Sequence, residues 1–276
     1  MKKKLITVLI SIVVLLLFVL YPVSILMLPI ISPAEYLSSI LYVEIGNLIL
    51  IKPSSTFFVY LLGVITIIFG VLIYRKKTEE SKTWWGLALI FWGIGTLLAG
   101  SSYQGFGYEL KCDGLEYCLF TSWFELSYLY VTALSITLMS FGVSIKTLKN
   151  SSLKLYNRIT SIGFLTYTLS LVLGVLLELK FLISYEWFLV FFLPYFLSFF
   201  ILNIKGYKKD KNSLDKGLII VWLIMLVVNL AYFVYLFSGL GELLYENYNI
   251  WFSANDVLHI GLIGWMYYIY KIVSNN

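Results

Sequence analysis

The chain has 276 residues, of which 60% are hydrophobic and 13% are charged, and its formal net charge is +5. A soluble domain carries about 25% charged residues, so this composition excludes a soluble globule, whose surface would lack polar groups. Several apolar runs reach the roughly 20 residues that cross a bilayer as a helix. The sequence therefore predicts an all-α fold, a polytopic transmembrane helix bundle.

We predict eight spans, at residues 5–31, 55–74, 84–104, 119–145, 158–178, 181–204, 216–238 and 252–271. In this arrangement, 17 of the 20 Lys and Arg residues fall on one side of the membrane. The positive-inside rule then places this side and both termini in the cytoplasm. We expect a multi-pass protein of the cytoplasmic membrane, with the lipid bilayer as its partner. Basic residues spread over short loops form no patch for nucleic acid, so no nucleic-acid partner is expected.

The first span has two interpretations. Three lysines precede an apolar run that starts at Leu5, a pattern that is also typical of a signal peptide. No small-x-small cleavage site follows, since the apolar run continues to Ile31. We predict an uncleaved signal anchor at residues 1–31 and a seven-span domain at residues 32–276. Cleavage would instead leave seven spans and an outer N-terminus.

The outer segment at residues 32–54 is fairly apolar between Tyr36 and Ile51 and carries Glu35 and Glu44. Such a segment lies well at the boundary between water and lipid. We predict that it forms an amphipathic helix in the membrane interface.

Both cysteines, Cys112 and Cys118, fall in an outer hairpin at residues 105–120. The predicted topology places them in an oxidising compartment, which favours a disulfide. A thiol nucleophile and metal ligands are the alternatives. The spacing matches neither a short zinc knuckle nor a redox Cys-x-x-Cys motif.

The last span holds the only histidine of the protein, His259. On a helix, Asn255 and Asp256 share one face with it, because they precede it by four and three residues. An ionisable cluster inside a membrane helix is expensive and marks a functional site by default. With Glu125 near the outer end of the fourth span, we predict that His259, Asp256 and Glu125 are catalytic residues.

Four further polar residues lie at a similar depth, counted from the outer ends of their spans, and we predict that they bind a ligand: Gln104, Glu109, Asn229 and Asn255. All seven candidates lie in the outer half of the predicted bundle. We therefore expect one outward-facing polar cavity, built mainly by spans three, four, seven and eight.

Each candidate also has a structural interpretation. Ser253, Asn255 and Asp256 are good N-cap residues for the last span, and Thr121 or Ser122 with Glu125 fits a capping box. Glu109 beside Lys111 fits a solvated pair. His259 fits a bundle histidine that hydrogen-bonds to Asp256 or to a backbone carbonyl.

These motifs resemble those of the CREST group of seven-span membrane hydrolases and receptors, which includes alkaline ceramidases and progestin/adiponectin-type receptors. The segment from Gly100 to Phe106 resembles the early-span motif, Glu125 the acid of the next span, and the pair Asn255 and His259 the spacing of the last-span pair. The resemblance implies a zinc site and action on a lipid or amphiphile. Asn255 stands where the group has the first histidine of that pair. The same stretches also resemble uncharacterised bacterial integral-membrane proteins.

Three functions remain open at this point. The leading hypothesis is a CREST-like hydrolase or binder of a lipid or amphiphile, with His259 as its key group. The second is a non-enzymatic small-molecule transporter or membrane sensor whose pocket protonates through His259 and Asp256. The third is a structural or assembly protein of the membrane. The cofactor and any bound metal are unknown from the sequence.

Overall fold

The computed structural model describes residues 31–76 and 79–275, so the predicted signal anchor lies outside the described residues except for Ile31. Within them, seven helices are long and apolar enough to cross a membrane. They are α2 (Pro53–Arg75), α3 (Glu80–Tyr103), α5 (Trp123–Thr147), α6 (Asn150–Leu176), α7 (Tyr185–Asp210), α8 (Ser213–Ser238) and α10 (Ala254–Asn275). They correspond to predicted spans two to eight, which confirms a helical bundle of the membrane-protein type.

Short elements connect the long helices. They are α1 (Pro33–Ser38), β1 (Tyr42–Ile45), β2 (Leu48–Ile51), α4 (Gly107–Lys111), a 3-10 turn (Lys180–Ile183) and α9 (Leu240–Tyr248). Most of them lie at the end of the bundle where α2, α5, α7 and α10 begin. We call this end the hairpin end, and the opposite end, with Lys76, Lys146 and Lys149, the lysine-rich end.

The prediction of one interfacial helix at residues 32–54 is wrong. Only α1 is helical there, and β1 and β2 pair as an antiparallel hairpin in which Tyr42 faces Ile51. Gly46 makes the turn with a φ of +62°, a conformation that glycine adopts without steric cost. The turn signal Gly46–Asn47 therefore overrode the apolar composition of the segment.

Backbone contact between helices organises the centre of the bundle. Gly63 on α2 and Gly93 on α3 face each other so closely that a Cβ at Gly93 would lie 2.6 Å from the Gly63 carbonyl oxygen. Small residues allow this approach, on which helix packing in membranes depends. Helix α3 packs in turn on α5, and α2 also packs on α10. The starts of α2 and α10 are thereby neighbours at the hairpin end.

Several helices extend beyond the predicted apolar spans. Helix α6 begins at Asn150, eight residues before the predicted start at residue 158. N-cap side chains define other starts, as where the Asn212 side chain accepts a hydrogen bond of 2.7 Å from the Asp215 amide. Hydropathy marks the apolar middle of a helix, whereas caps set its ends.

Candidate functional site

Glu125 lies in the first turn of α5, where the Ser122 hydroxyl caps the helix by accepting a bond of 3.3 Å from the Glu125 amide. The Glu125 carboxylate is buried and pairs with Lys111 on α4 at 2.8 Å. The Ser102 hydroxyl at the end of α3 donates to the same carboxylate oxygen at 2.9 Å. Ser122 and Ser102 also share a hydrogen bond of 2.6 Å. These four residues form a closed network that we call the Glu125 cluster.

Glu109 and Lys111 are not the solvated pair that their spacing suggested. Lys111 turns to Glu125, whereas Glu109 accepts a hydrogen bond of 2.6 Å from the backbone amide of Ile49 on β2. Glu109 thereby ties the hairpin to α4. Its second oxygen, Oε2, and the side-chain oxygen of Gln104 are buried without a hydrogen-bond partner among the described residues.

Two ionisable side chains near this cluster, Tyr36 and Lys52, have shifted pKa values. Burial, together with the negative charges of Glu125 and Glu109, raises the pKa of the Tyr36 phenol to about 12. Burial also lowers the pKa of Lys52 below its usual range, and the positive charge of Lys111 adds to this effect. At the hairpin end, the charges of Glu125, Glu109 and Lys111 therefore influence the protonation of Tyr36 and Lys52.

A disulfide between Cys112 and Cys118 closes the outer hairpin, as the sequence predicted. Cys112 is fully buried and directly follows Lys111, so the bond holds the residue that pairs with Glu125. The Cys118 amide also donates a hydrogen bond of 2.9 Å to the carbonyl of Ile31. The disulfide loop thus joins α4 to the first described residue of the chain.

Asp256 lies in the first turn of α10 and is fully buried. Its Oδ2 accepts hydrogen bonds from the backbone amide of Ser253, which precedes the helix, and from the Ser54 hydroxyl on α2 at 3.0 Å. Ser55 and Ser253 form a parallel bond of 2.8 Å. The bond from the Ser253 amide is the helix cap that the structural interpretation of Asp256 expected. The bond from the Ser54 hydroxyl also links α10 to α2.

His259 lies one turn further along α10 and is 8% exposed. Its Nδ1 is buried without a hydrogen-bond partner among the described residues, and so is Oδ1 of Asp256. The two residues are three apart and share one face of α10. His259 is therefore a buried imidazole whose Nδ1 atom has no hydrogen-bond partner among the described residues.

A cavity of about 300 Å³ opens at the hairpin end between α2, α8, α9 and α10. Ser54, Ser55 and Ser253 line it, so it borders the hydrogen bonds of Asp256. Its walls and rim are aromatic, apolar or charged and are formed by Leu41, Lys52, Tyr235, Leu236, Gly239, Gly241, Glu242, Tyr245, Glu246, Ile250, Trp251, Phe252 and Ala254.

The predicted site residues fall into two groups rather than one hydrogen-bonded set. Glu125 binds Lys111 and Ser102, whereas Asp256 binds Ser54 and Ser253. Among the described residues, no hydrogen bond or ion pair joins the two groups. Helix α2, which packs on both α3 and α10, stands between the ends that carry them.

Two predicted ligand-binding residues belong to neither group by their hydrogen bonds. The Asn229 amide donates a bond of 2.8 Å to the Met225 carbonyl within its own helix, α8. Asn255 is half-buried beside Asp256. Their assignment as ligand-binding residues stays a prediction.

The donor set does not fit the zinc site that the CREST resemblance implies. In the described part of the chain, no three His, Cys, Asp or Glu side chains gather in a way that would hold a metal ion. His259 has one carboxylate neighbour, Asp256, while the Glu125 carboxylate is engaged by Lys111 and Ser102. Structural and catalytic zinc sites take three or four protein ligands, so we derive no zinc-dependent step.

The cavity includes residues that sequence reasoning missed, above all Lys52, Ser54, Ser55 and Tyr235. The signal for three of them was the run Lys52-Pro53-Ser54-Ser55, because proline at the first position followed by serines marks a helix start. Nothing in the pattern of α8 distinguishes Tyr235 from the many aromatic residues near other span ends. Tyr235 lines the cavity only because α9 lies beside it and supplies other lining residues.

Comparison with known proteins gives one family. The family described as "Family of unknown function (DUF6962)" matches residues 55–276. This range contains nearly all of α2 and the six long helices that follow, together with Asp256 and His259. Residues 1–54, with the β hairpin and Lys52, precede it. No curated protein and no solved structure matches the chain.

Proposed function

Since the chain belongs to the family of unknown function DUF6962, we propose its function from geometry: an integral membrane protein that binds an amphiphile in the hairpin-end cavity. The observation that carries this proposal is the composition of the cavity. It combines aromatic walls with one basic side chain, Lys52, among its lining residues. Ligand sites are concave and mostly apolar, with a few polar groups that fix orientation.

The aromatic side of the cavity suits the apolar portion of such a ligand. Trp251 packs edge-on against Tyr245, with ring centroids 6.0 Å apart, and Tyr235 packs in the same way on Phe252 at 5.8 Å. The Tyr235 hydroxyl donates a bond of 2.8 Å to the Phe252 carbonyl, which fixes the wall. Aromatic rings of this kind also concentrate at the interface between lipid and water, where an amphiphile resides.

The polar side of the cavity suits an anionic group. Lys52 makes no side-chain hydrogen bond or ion pair among the described residues, and it precedes the start of α2. The first amides of α2 and α10 add the positive ends of two helix dipoles. Glu242 and Glu246 on α9 also line the cavity, so the anionic group of the ligand lies toward Lys52 and away from these carboxylates.

The proposed topology places this cavity outside the cell. We propose eight spans in the cytoplasmic membrane, with the lysine-rich end and both termini inside. The charge distribution supports this orientation, and the disulfide at the hairpin end agrees with an oxidising compartment. A reporter enzyme that is active only outside the cytoplasm will be active when fused after Glu178 and inactive when fused after Asn275. The reverse result would overturn the orientation.

Quenching of Trp251 fluorescence tests ligand binding directly. The probes are a single-chain alkyl phosphate and an alkyl ammonium, each with bromine near the head group, titrated onto the purified full chain. We expect saturable quenching by the phosphate that Trp251→Phe removes and Trp123→Phe, away from the cavity, retains. Lys52→Met will weaken the phosphate about tenfold and leave the ammonium unchanged, since a hydrogen bond to a charged group is worth about 1.5 kcal/mol. Quenching that persists in Trp251→Phe would refute the site.

A further inference from the structure

Two glutamates line the hairpin-end cavity, which we call the amphiphile cavity after its proposed ligand, without serving the anionic end of that ligand. They are Glu242 and Glu246 on α9. Because they are four residues apart, they share one face of this helix. Among the described residues, neither carboxylate makes an ion pair or a side-chain hydrogen bond, and both residues are exposed. Both carboxylates can therefore accept hydrogen bonds from a ligand.

The position of these two glutamates is unfavourable within α9 itself. Like charges four residues apart on a helix repel each other. Glu246 also lies two residues before the end of the helix at Tyr248, where the helix dipole favours a cation. The helix contains no basic residue that would offset either effect. The electrostatic complement of this pair is therefore a positively charged group from outside α9.

Aromatic rings lie beside the two carboxylates. Tyr245 directly precedes Glu246 and shares a face of α9 with Glu242, which is three residues before it. Tyr245 and Trp251 both line the cavity and pack edge-on, with ring centroids 6.0 Å apart. The faces of such rings attract cations, and carboxylates form strong hydrogen bonds with an ammonium group. This part of the cavity therefore suits an ammonium group.

The ionisable groups at the cavity carry an excess of formal negative charge. Lys52 is the one basic residue of the lining, against the two glutamates of α9. A third carboxylate, that of the fully buried Asp256, adjoins the lining because it accepts the bond from Ser54. Its Oδ1 has no hydrogen-bond partner in the described part of the chain. A purely anionic ligand would increase this imbalance, whereas a ligand that also carries a cation would offset it.

The elements that carry the two signs of charge meet at Ser253. Gly241, next to Glu242, lies so near the start of α10 that a Cβ there would be 3.8 Å from the Ser253 Cα. The Ser253 hydroxyl in turn shares a hydrogen bond of 2.8 Å with Ser55, three residues after Lys52. Both signs of charge therefore border one cavity of about 300 Å³, which a single head group can occupy.

We propose that the ligand is a zwitterionic amphiphile, with a phosphate that lies toward Lys52 and an amine that binds Glu242 and Glu246. This inference rests on the proposed binding of an amphiphile and narrows the ligand to one that carries both charges. The two glutamates are specificity-determining residues: they bind the amine and add nothing to the binding of the phosphate.

Two probes that differ in a single group test the role of the amine. Each is a phosphate diester with one alkyl chain, brominated near the head group, and a second arm of two carbons. The second arm ends in an amine in one probe and in a hydroxyl in the other. Both phosphates carry the same charge, so the ratio of the two dissociation constants reports the amine alone. Quenching of Trp251 fluorescence in the purified full chain gives both constants.

We expect the amine probe to bind about tenfold more tightly than the hydroxyl probe, which corresponds to about 1.4 kcal/mol. Glu242→Gln with Glu246→Gln will bring this ratio to about one and will not weaken the hydroxyl probe. Asp113→Asn with Glu116→Gln is the matched control, since it removes two exposed carboxylates of the disulfide loop, outside the cavity lining. This control should keep the tenfold preference.

The outcomes separate this inference from the amphiphile function. A ratio of one in the wild type, or a tenfold ratio that survives the double glutamine variant, would overturn the zwitterionic ligand, while saturable binding of the hydroxyl probe would keep the amphiphile function. Failure of both probes to quench Trp251 would refute the amphiphile function as well. The 2-aminoethyl phosphate without an alkyl chain should compete far more weakly, because it buries no apolar chain. Equally strong competition would indicate a soluble ligand and overturn the amphiphile.

Discussion

The Ser54 hydroxyl in the first turn of α2 donates a hydrogen bond of 3.0 Å to the carboxylate of Asp256 in the first turn of α10. The two residues are 202 positions apart in sequence and lie at the starts of two different helices. The bond fixes these two helix starts to each other at the base of the amphiphile cavity. Asp256 therefore has the capping role that its sequence context suggested and also links α10 to α2, while its catalytic role stays a prediction.

Removing either partner of this contact will destabilise the protein to different degrees. We expect Ser54→Ala to cost about 1.5 kcal/mol, the value for a hydrogen bond to a charged group. Asp256→Ala will cost about 2 kcal/mol, because the bond to the Ser253 amide at the helix start is lost as well. Thermal unfolding in detergent measures both changes. Ser161→Ala, on the exposed face of α6, is the matched control and should leave the unfolding temperature unchanged. Equal effects of the three variants would contradict the assigned contact.

Breaking the ion pair between Lys111 and Glu125 will lower the free energy of unfolding more than breaking an exposed ion pair. Both side chains are nearly buried, with exposures of 12% and 4%. Lys111→Met leaves a buried carboxylate without its partner, for which we expect a loss of about 3 kcal/mol. The double variant Lys111→Met, Glu125→Leu will recover part of that loss, since no unpaired charge remains.

The exposed pair of Lys209 and Asp210, 3.9 Å apart, provides the comparison for this prediction. Lys209→Met should change the free energy of unfolding by less than about 0.5 kcal/mol. Chemical unfolding in mixed micelles gives all three values. A double variant that is less stable than Lys111→Met alone would show that the carboxylate is held mainly by Ser102.

The disulfide will be measurable and stabilising. Without reductant, mass spectrometry after alkylation of the unfolded chain should show no added alkyl group, and after reduction it should show two. A cross-link that closes so short a loop contributes about 2 kcal/mol in the chain-entropy description. Cys112→Ala with Cys118→Ala should lower the unfolding temperature accordingly. Two freely alkylated thiols in protein extracted from membranes would refute the bond.

As the pH rises, binding of an anionic amphiphile should weaken earlier than it would with an exposed lysine in place of Lys52. Burial lowers the pKa of Lys52, so this side chain loses its charge before the usual value of about 10.4 is reached as the pH rises. As the pH rises, the affinity for the alkyl phosphate should therefore fall before the pH reaches about 10.4. Lys52→Arg is the control, because arginine keeps its charge over this range. A pH profile that is identical for wild type and Lys52→Arg would exclude Lys52 from binding.

The lowered pKa of Lys52 also makes the stability of the protein depend on pH. In the folded chain the charged form of Lys52 is disfavoured, since its pKa lies below the unfolded value of about 10.4. The unfolded chain therefore binds more protons between the two pKa values, and the contribution of Lys52 to stability rises with pH in that window. Lys52→Met should remove this rise.

The helical bundle was predictable because its cause is local. Seven apolar stretches of sufficient length each satisfy their own backbone hydrogen bonds, whatever the rest of the chain does. The capping roles of Ser122 and Asp256 were readable for the same reason, since a cap and its helix are neighbours in sequence. The hairpin of β1 and β2 is not predicted even though its Gly46–Asn47 turn is equally local, because the apolar composition of the segment also fits an interfacial helix.

The sequence by itself determined the class of protein, the seven helices and the cysteine pair, together with the helix face that carries Asp256 and His259. These follow from composition, from length and from spacings of a few residues. Only the tertiary structure decided that Glu125 belongs with Lys111 and Ser102, and that Asp256 belongs with Ser54. It also decided that Lys52 and Tyr235 share a cavity. Such contacts depend on which helices pack together, and here α2 packs on α3 through glycine-to-glycine contact and also packs on α10.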